Sequence, residues 1–551
     1  MTQKPRRLLL LLALTILTSS VAFAARVERL IDTWQPKNYV VTLKLNEQLS
    51  EIVTGSARID VLVLKNTSVI DLDFGEMTTK SVNVDSKPAQ FTHQNGKLEV
   101  QLADAANPGT RIVIEVVYQG KPKDGLIMTK DKDGQPSAVG DNWPNRVHHW
   151  IPSFDHPSAK ATVTFNITAA ARQEVVANGK LQNVQPTADG NRTWTYSTAA
   201  PIPPYCMIIA VGDFARLEPG TRTPVPFAYY VPNADRAVAM KGFAPSIPSV
   251  EYFSEVVAPY PYEKLALIVG ATQFGGMENS SAIVFTSTMF DPKPRAKISK
   301  RFGIPNGTVS LIAHEIAHQW FGDSVTESTW SDLWLSEGFA TYFAGLFVQR
   351  YEGEEAFREY MKQAAQTAFE YEKKSRTPIF DRDTENLMNL LNPNNYQKGA
   401  WVLHMLRSSL GDDVFFRGIR DYYHAHKDGT ASTEDLRGAL EKASGKDLKD
   451  FFQRWVYGVG HPKYQVTSEY LAKEGELRIV LRQVQAGDAF PDPIPITVRT
   501  ADGLRDLVMK PSGKEAVATI RLSDEAARSS FLKFDVQVDP RGTVLKEVTN
   551  R

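Results

Sequence analysis

A single cysteine, Cys206, among 551 residues excludes any disulfide within the chain, so packing must hold it together. Net charge is lacking as well, since 63 basic residues balance 63 acidic ones and no long run of one sign occurs. A chain with no net field has nothing to draw it to nucleic acid or to an anionic membrane, and polyanionic partners are not expected. Long apolar runs are confined to the first two dozen residues, so no later segment predicts a membrane span. At that N-terminus Lys4, Arg6 and Arg7 precede LLLLLALTIL, and Ala22, Phe23 and Ala24 form a small-residue cleavage signature before Ala25. This is the pattern of a secretory signal peptide over residues 1–24. It predicts a secreted or periplasmic protein with no stable membrane insertion after cleavage. No Cys follows the cleavage point to accept a lipid anchor.

What is present is more chain than one core usually supports, and the length suggests roughly three or four domains. Residues 25–232 show period-two alternation in short runs such as RIVIEVVYQG, ATVTFNIT and RTWTYST, punctuated by Gly, Pro and Asn. They predict an N-terminal all-β, sandwich-like domain. Cys206, in PYCMIIAVGDF, is expected on a buried strand as an unreactive core thiol. TKDKDGQ groups acids around a Gly but lacks the closing Glu of a calcium loop, and is read as a solvated turn. From residue 233 to 461 the period becomes helical, with stretches at 308–321, 333–350, 354–373, 396–410, 413–426 and 432–456 around a short strand, LALIVG. Residues 462–551 return to alternation and predict a small C-terminal β-sandwich.

The chemistry concentrates in His314 to Glu337, HEIAHQWFGDSVTESTWSDLWLSE. On a helix His314 and His318 share one face, so both imidazoles can reach one cation, while Glu315 points to the flank where a metal-bound water would lie. An isolated His-Glu-x-x-His arises by chance in about one chain in a hundred of this length, and it would then be a surface helix with two histidines. Here apolar Leu311, Ile312, Ile316, Ala317 and Trp320 surround it. Both imidazoles would therefore enter the core, which is costly unless they have partners. Glu337, eighteen residues beyond His318, completes a catalytic-type zinc set with an open fourth position, and Ser336 is expected to cap its helix.

HEIAHQW, then WLSEGFATY, with Gly275-Gly276-Met277-Glu278-Asn279 upstream, resembles the M1 family of zinc aminopeptidases, gluzincins that include aminopeptidase N and leukotriene A4 hydrolase. The resemblance spans roughly residues 30 to 460. It implies a thermolysin-like catalytic domain, one Zn2+ on His314, His318 and Glu337, and peptides with a free N-terminus as substrates. It further implies that Glu315 is the general base, that Tyr396 in NNYQKGAW donates to the oxyanion, and that Glu278 binds the substrate's α-ammonium. Gly275, Gly276, Met277 and Asn279 would border the substrate, with a peptide pairing along an edge strand there.

Two departures stand out. Where relatives place Gln or Glu from the β-domain at the amine, this chain has Asp141, Asn142 and Trp143, and Asp141 is the candidate replacement. Ala344 stands where relatives often have a second acid, so histidine orientation would fall to another group such as Asp332. Family members often add a large helical C-terminal domain that this chain is too short to hold, which leaves room for a homo-oligomer to cover the cleft. An epoxide-hydrolysing relative and an inactive peptide-binding scaffold are the alternative functions, and the full set of Glu315, Tyr396 and three ligands argues against the scaffold. His148, His149 and His156 match no metal template and are expected to pack or hydrogen-bond. His424 and His426 are expected to face solvent, and Lys398 and Arg407 to stabilise their helix.

Overall fold

The computed structural model describes residues 28–550 apart from 221–224, 292–306, 501–502 and 524–534. The signal-peptide pattern and nearly all of the loop PRAKISKRFGIPNG lie outside the described residues.

In Trp34–Leu45 the side chains of Tyr39, Val41, Leu43 and Leu45 are buried, while the residues between them face the other way, as a two-residue period requires. This strand pairs antiparallel with Ile52–Val63 and parallel with Thr162–Ala170 inside an eight-stranded sheet. One four-stranded and one three-stranded sheet complete the N-terminal β-rich domain. Cys206 is in a short 3-10 turn, Pro204–Cys206, and the strand begins at Ile209. Its thiol is buried, with burial raising its pKa, and donates to Asp323 Oδ1 at 3.2 Å. In TKDKDGQ, Asp131 Oδ1 accepts from Asp133 N and Gln135 N, which makes that stretch a side-chain-stabilised turn.

The strands Ala215–Leu217 and Phe227–Val231 leave that domain, although both precede residue 232. Phe227–Val231 runs parallel to Leu265–Gly270, which runs parallel to Ala282–Thr286, and Gly276–Met277 lies at the far edge of the same five-stranded sheet. Alternation marks a strand but not the sheet it joins, so the change of texture at 232 falls after the catalytic sheet has begun. The helices described around this sheet are α1 (Arg236–Gly242), α2 (Ser246–Val256), α3 (Gly307–Ala317), α4 (Trp334–Glu352), α5 (Glu354–Glu372), α6 (Gly399–Leu410), α7 (Asp412–His426), α8 (Thr433–Ser444) and α9 (Lys449–Trp455); α1 and α3 touch its strands, and α4 packs against α3, α5 and α6. The helical stretch 432–456 forms two helices because Gly445 takes φ 68° and ends α8. Helix α4 is buried continuously from Trp334 to Val348. An apolar surface all round is the mark of a central helix, and it draws Glu337 inside with it.

Polar side chains fasten these parts together. Lys160, half-buried in the N-terminal domain, donates to the carbonyls of Asp323, Ser324 and Gly429 at 2.7 to 3.1 Å, gripping the loop that follows the His318 turn. Two sheets of four and three strands form the C-terminal β-rich region. His404 Nε2 on α6 hydrogen-bonds Gly542 O there at 3.0 Å. Lys398 does more than support its helix. It is wholly buried, and its Nζ reaches Glu372 on α5 at 2.6 Å and Gly460 O at 2.9 Å. His461 contacts the same carboxylate. Burial raises the Glu372 pKa, but His461 and Lys398 together bring it down to about 2. Removing one member of a buried ion pair leaves the other unpaired in a medium that solvates it poorly. Lys398→Met should therefore lower unfolding stability by about 3 kcal/mol, read as a fall in the urea midpoint; an unmoved midpoint would contradict this role.

Candidate metal centre

Helix α3 ends at Ala317, yet His318 N–H still donates to His314 O at 3.2 Å, so the two imidazoles keep their one-turn relation. Helix α4 brings Glu337 opposite them. The two Nε2 atoms are 3.1 Å apart, and Glu337 Oε2 is 3.2 Å from one and 3.3 Å from the other. Atoms bound at about 2.05 Å to a tetrahedral ion stand about 3.3 Å from one another, so this triangle has the size of a zinc face. Its chemistry fits as well, since two imidazoles and a carboxylate converging in a buried pocket are a donor set that could hold a metal ion. Burial opposes charge on both groups, yet His318 and His314 hold Glu337 well below the carboxylate range, and Glu278 and Glu337 carry His318 up to about 10.

The orientation of His318 comes from residues that spacing did not reveal. Its Nδ1 lies 3.1 Å from Phe321 O and 3.0 Å from Ser336 Oγ, which fixes the ring proton there and frees Nε2. Ser336 is thus inside α4, whose N-cap is Leu333, and does not cap it. Asp332 does not reach either histidine. It accepts from Thr433 N and Oγ1 at 2.8 and 2.7 Å and pins the start of α8 to the turn before α4. Among the described residues His314 Nδ1 has no hydrogen-bond partner, and Ala344, buried on α4, provides none.

Glu315 lies in the same cleft, and burial together with neighbouring Glu278 and Glu337 raises its pKa well above the carboxylate range. The reason for glycine at 276 becomes plain here. A Cβ on Gly276 would fall 2.3 Å from Glu315 Oε1, a distance no real contact tolerates. The glycine makes room for the acid, and Gly276–Met277 remains an edge strand with one side paired to Ala282–Thr286. Tyr396 lies in a π-helical turn, Asn394–Lys398, just ahead of α6. Its ring stacks over His314 at 6.0 Å and its hydroxyl donates to Glu337 Oε1 at 2.7 Å.

Glu278 faces the cleft, and burial raises its pKa to about 7. Its backbone is tied to the metal helix by Gln319, next to His318. The Gln319 carboxamide is fully used: Nε2 donates to Glu278 O at 2.6 Å and Asp323 Oδ2 at 2.9 Å, while Oε1 accepts from Ser281 N at 2.8 Å and Tyr260 OH at 2.9 Å. Sequence offered no signal for this beyond adjacency to a histidine.

Gly275 and Met277 line the cleft, but two candidates do not. Asn279 is fully buried and donates to Met277 O at 3.3 Å, holding the turn. Asp141 is turned away, accepting from Gln273 N at 3.0 Å and pairing with Arg146 at 3.2 Å. Trp143, two residues on, occupies the wall instead. Of the remaining histidines, His148 binds Asp155 at 2.7 Å and His156 binds Glu28 at 2.7 Å, away from the triangle. His424 is exposed, whereas His426 is partly buried and hydrogen-bonds Thr430 O at 3.1 Å.

Comparison with known proteins places the chain among peptidases. The profile of the peptidase family M1 domain matches residues 246–455, and that of the peptidase M1 N-terminal domain matches residues 35–206. Among similar proteins, probable aminopeptidase 1 of Sulfurisphaera tokodaii is 26% identical over 413 residues, 73% of this chain and 50% of the relative. Aminopeptidase 2 of Candida albicans is 25% identical over 82% of this chain and 50% of its own length. Aminopeptidase N of Lactobacillus helveticus is 25% identical over 84% and 55%. The chain thus spans about half the length of the curated relatives it matches.

Gly276→Ala should displace Glu315 without touching a metal ligand, cutting turnover at least about a hundredfold at unchanged metal content; near-normal turnover would contradict the steric role. Gln319→Leu, which leaves Glu278 O and Ser281 N unpaired, should destabilise the fold by about 2 kcal/mol in urea melts.

Proposed function

The chain belongs to the peptidase M1 family, and on that premise we propose that it is a zinc-dependent aminopeptidase that removes N-terminal residues from peptides. The observation that carries the reading is the meeting, in one buried cleft, of the ligand triangle with two further carboxylates that are not needed to complete it, Glu315 and Glu278. The aminopeptidase names of the relatives support it.

His314, His318 and Glu337 would hold the ion, which when bound supplies a Lewis acid and lowers the pKa of water to about 7. Glu315 takes a proton from the attacking water. It then passes that proton to the departing amine, a stronger base than a carboxylate. Tyr396 stays protonated because burial raises its pKa, so it can turn its hydroxyl from Glu337 to the oxyanion forming at the scissile carbonyl. Glu278 receives the α-ammonium, and the edge strand Gly276–Met277 gives the peptide backbone a partner. We further propose export to the periplasm or the cell exterior, which rests on the basic residues, apolar run and cleavage signature of residues 1–24. Among the described residues no helix is long and apolar enough to cross a membrane.

Glu315→Gln should keep its zinc yet lose turnover by about a thousandfold; a variant of near-normal activity would exclude the general-base role. Glu278→Ala should raise KM for free-amine anilides at least about tenfold and leave residual cleavage of their N-acetylated forms unchanged. Equal effects on both would remove the basis for an exopeptidase.

A further inference from the structure

The cleft is lined by two kinds of side chain. Beside the ligand residues with Glu315 and Glu278, Trp143, Phe274 and Leu391, which belong to one apolar cluster, present carbon. Among the described residues no Lys or Arg lines it. Trp143 is clamped, meeting Phe274 edge-on at 6.1 Å and Trp330 at 5.9 Å within an apolar cluster that includes Leu390. Trp330 is itself fixed by its backbone N–H, which donates to the Glu28 carboxylate at 2.7 Å. An indole held on two sides cannot swing aside to enlarge the cleft. Asp141, two residues before Trp143, pairs with Arg146 at 3.2 Å, and Arg146 also pairs with Asp124 at 2.8 Å, so these charges are engaged with one another.

The geometry points to Trp143 as the residue that sets first-residue specificity, limiting substrates to peptides whose N-terminal side chain is uncharged, apolar and of small to moderate size. The inference rests on the aminopeptidase reading: with the α-ammonium at Glu278, the side chain of the same residue has to turn toward the carbon wall. An aliphatic side chain gains there by leaving water. A carboxylate or guanidinium would be stripped of water and find no counter-ion on that wall. A rigid indole also bounds the length of the side chain it admits.

The test is a set of initial rates for the zinc-loaded protein on alanyl, leucyl, methionyl, phenylalanyl, arginyl and glutamyl anilides. The leucyl or methionyl substrate should exceed the arginyl and glutamyl ones in kcat/KM by at least about tenfold. In Trp143→Ala, and more mildly in Trp143→Leu, the phenylalanyl-to-alanyl ratio should rise at least about tenfold at unchanged zinc content. The wild-type comparison decides the substrate class even if a variant fails to fold. Arginyl or glutamyl turnover equal to leucyl would overturn the inference while leaving the aminopeptidase reading intact, as would an unchanged ratio in folded, zinc-loaded Trp143 variants. Failure of every free-amine anilide would instead sink the aminopeptidase reading, and this inference with it.

Discussion

Concentrated buried negative charge is the constraint on which this structure turns. Glu278, Glu315 and Glu337 are all nearly inaccessible, and they converge with two imidazoles on one small space. Such carboxylates cannot all ionise without cations, because burial removes the water that would stabilise them and proximity makes each oppose the next. The opposed pKa directions express this, with Glu337 held low by its histidines while Glu315 and Glu278 are driven up. On the proposed function, a divalent ion at the triangle would answer part of the demand, and a substrate's α-ammonium at Glu278 would answer more of it. Affinity for both would then have the same physical origin as the cost of building the site.

The scaffold meets that cost by leaving little else free to move. Continuous burial of α4 makes Glu337 part of the core, and Asp332 locks the preceding turn to α8. Gln319 joins the metal helix to the strand segment that bears Glu278, and Gly276 leaves the volume that Glu315 fills. The N-terminal domain takes part in this. Lys160 reaches across to the carbonyls after the His318 turn, and Asn178 Nδ2 donates to Ser280 O at 2.7 Å, so both ends of the cleft are braced from the β-rich side.

Much of this was legible in the residues because the responsible physics is local. Periods of two and of three to four residues identify strands and helices, and His314, His318 and Glu337 converge because a single helical turn and one helix packing bring them together. What escaped depends on distant partners. Strand Phe227–Val231 alternates like its predecessors, and only its pairing with Leu265–Gly270 assigns it to the catalytic sheet. Asp332 has the right chemistry to orient a histidine but is engaged by Thr433, about a hundred positions away. Asp141 and Trp143 differ by two residues, and backbone direction decides which of them meets the cleft. Ser336 and Gln319 were visible only as neighbours of ligands, since hydrogen bonds to His318 Nδ1 and Glu278 O require the folded geometry.

The central claim is that one cation is held by two imidazole nitrogens and one carboxylate. Zinc-edge X-ray absorption on the purified protein measures this directly. One zinc per chain is expected, with nitrogen and oxygen neighbours at about 2.0 to 2.1 Å and no sulfur, and with loss of that shell in Glu337→Ala and His318→Ala. Zinc absent after loading, or a shell that survives both substitutions unchanged, would contradict it.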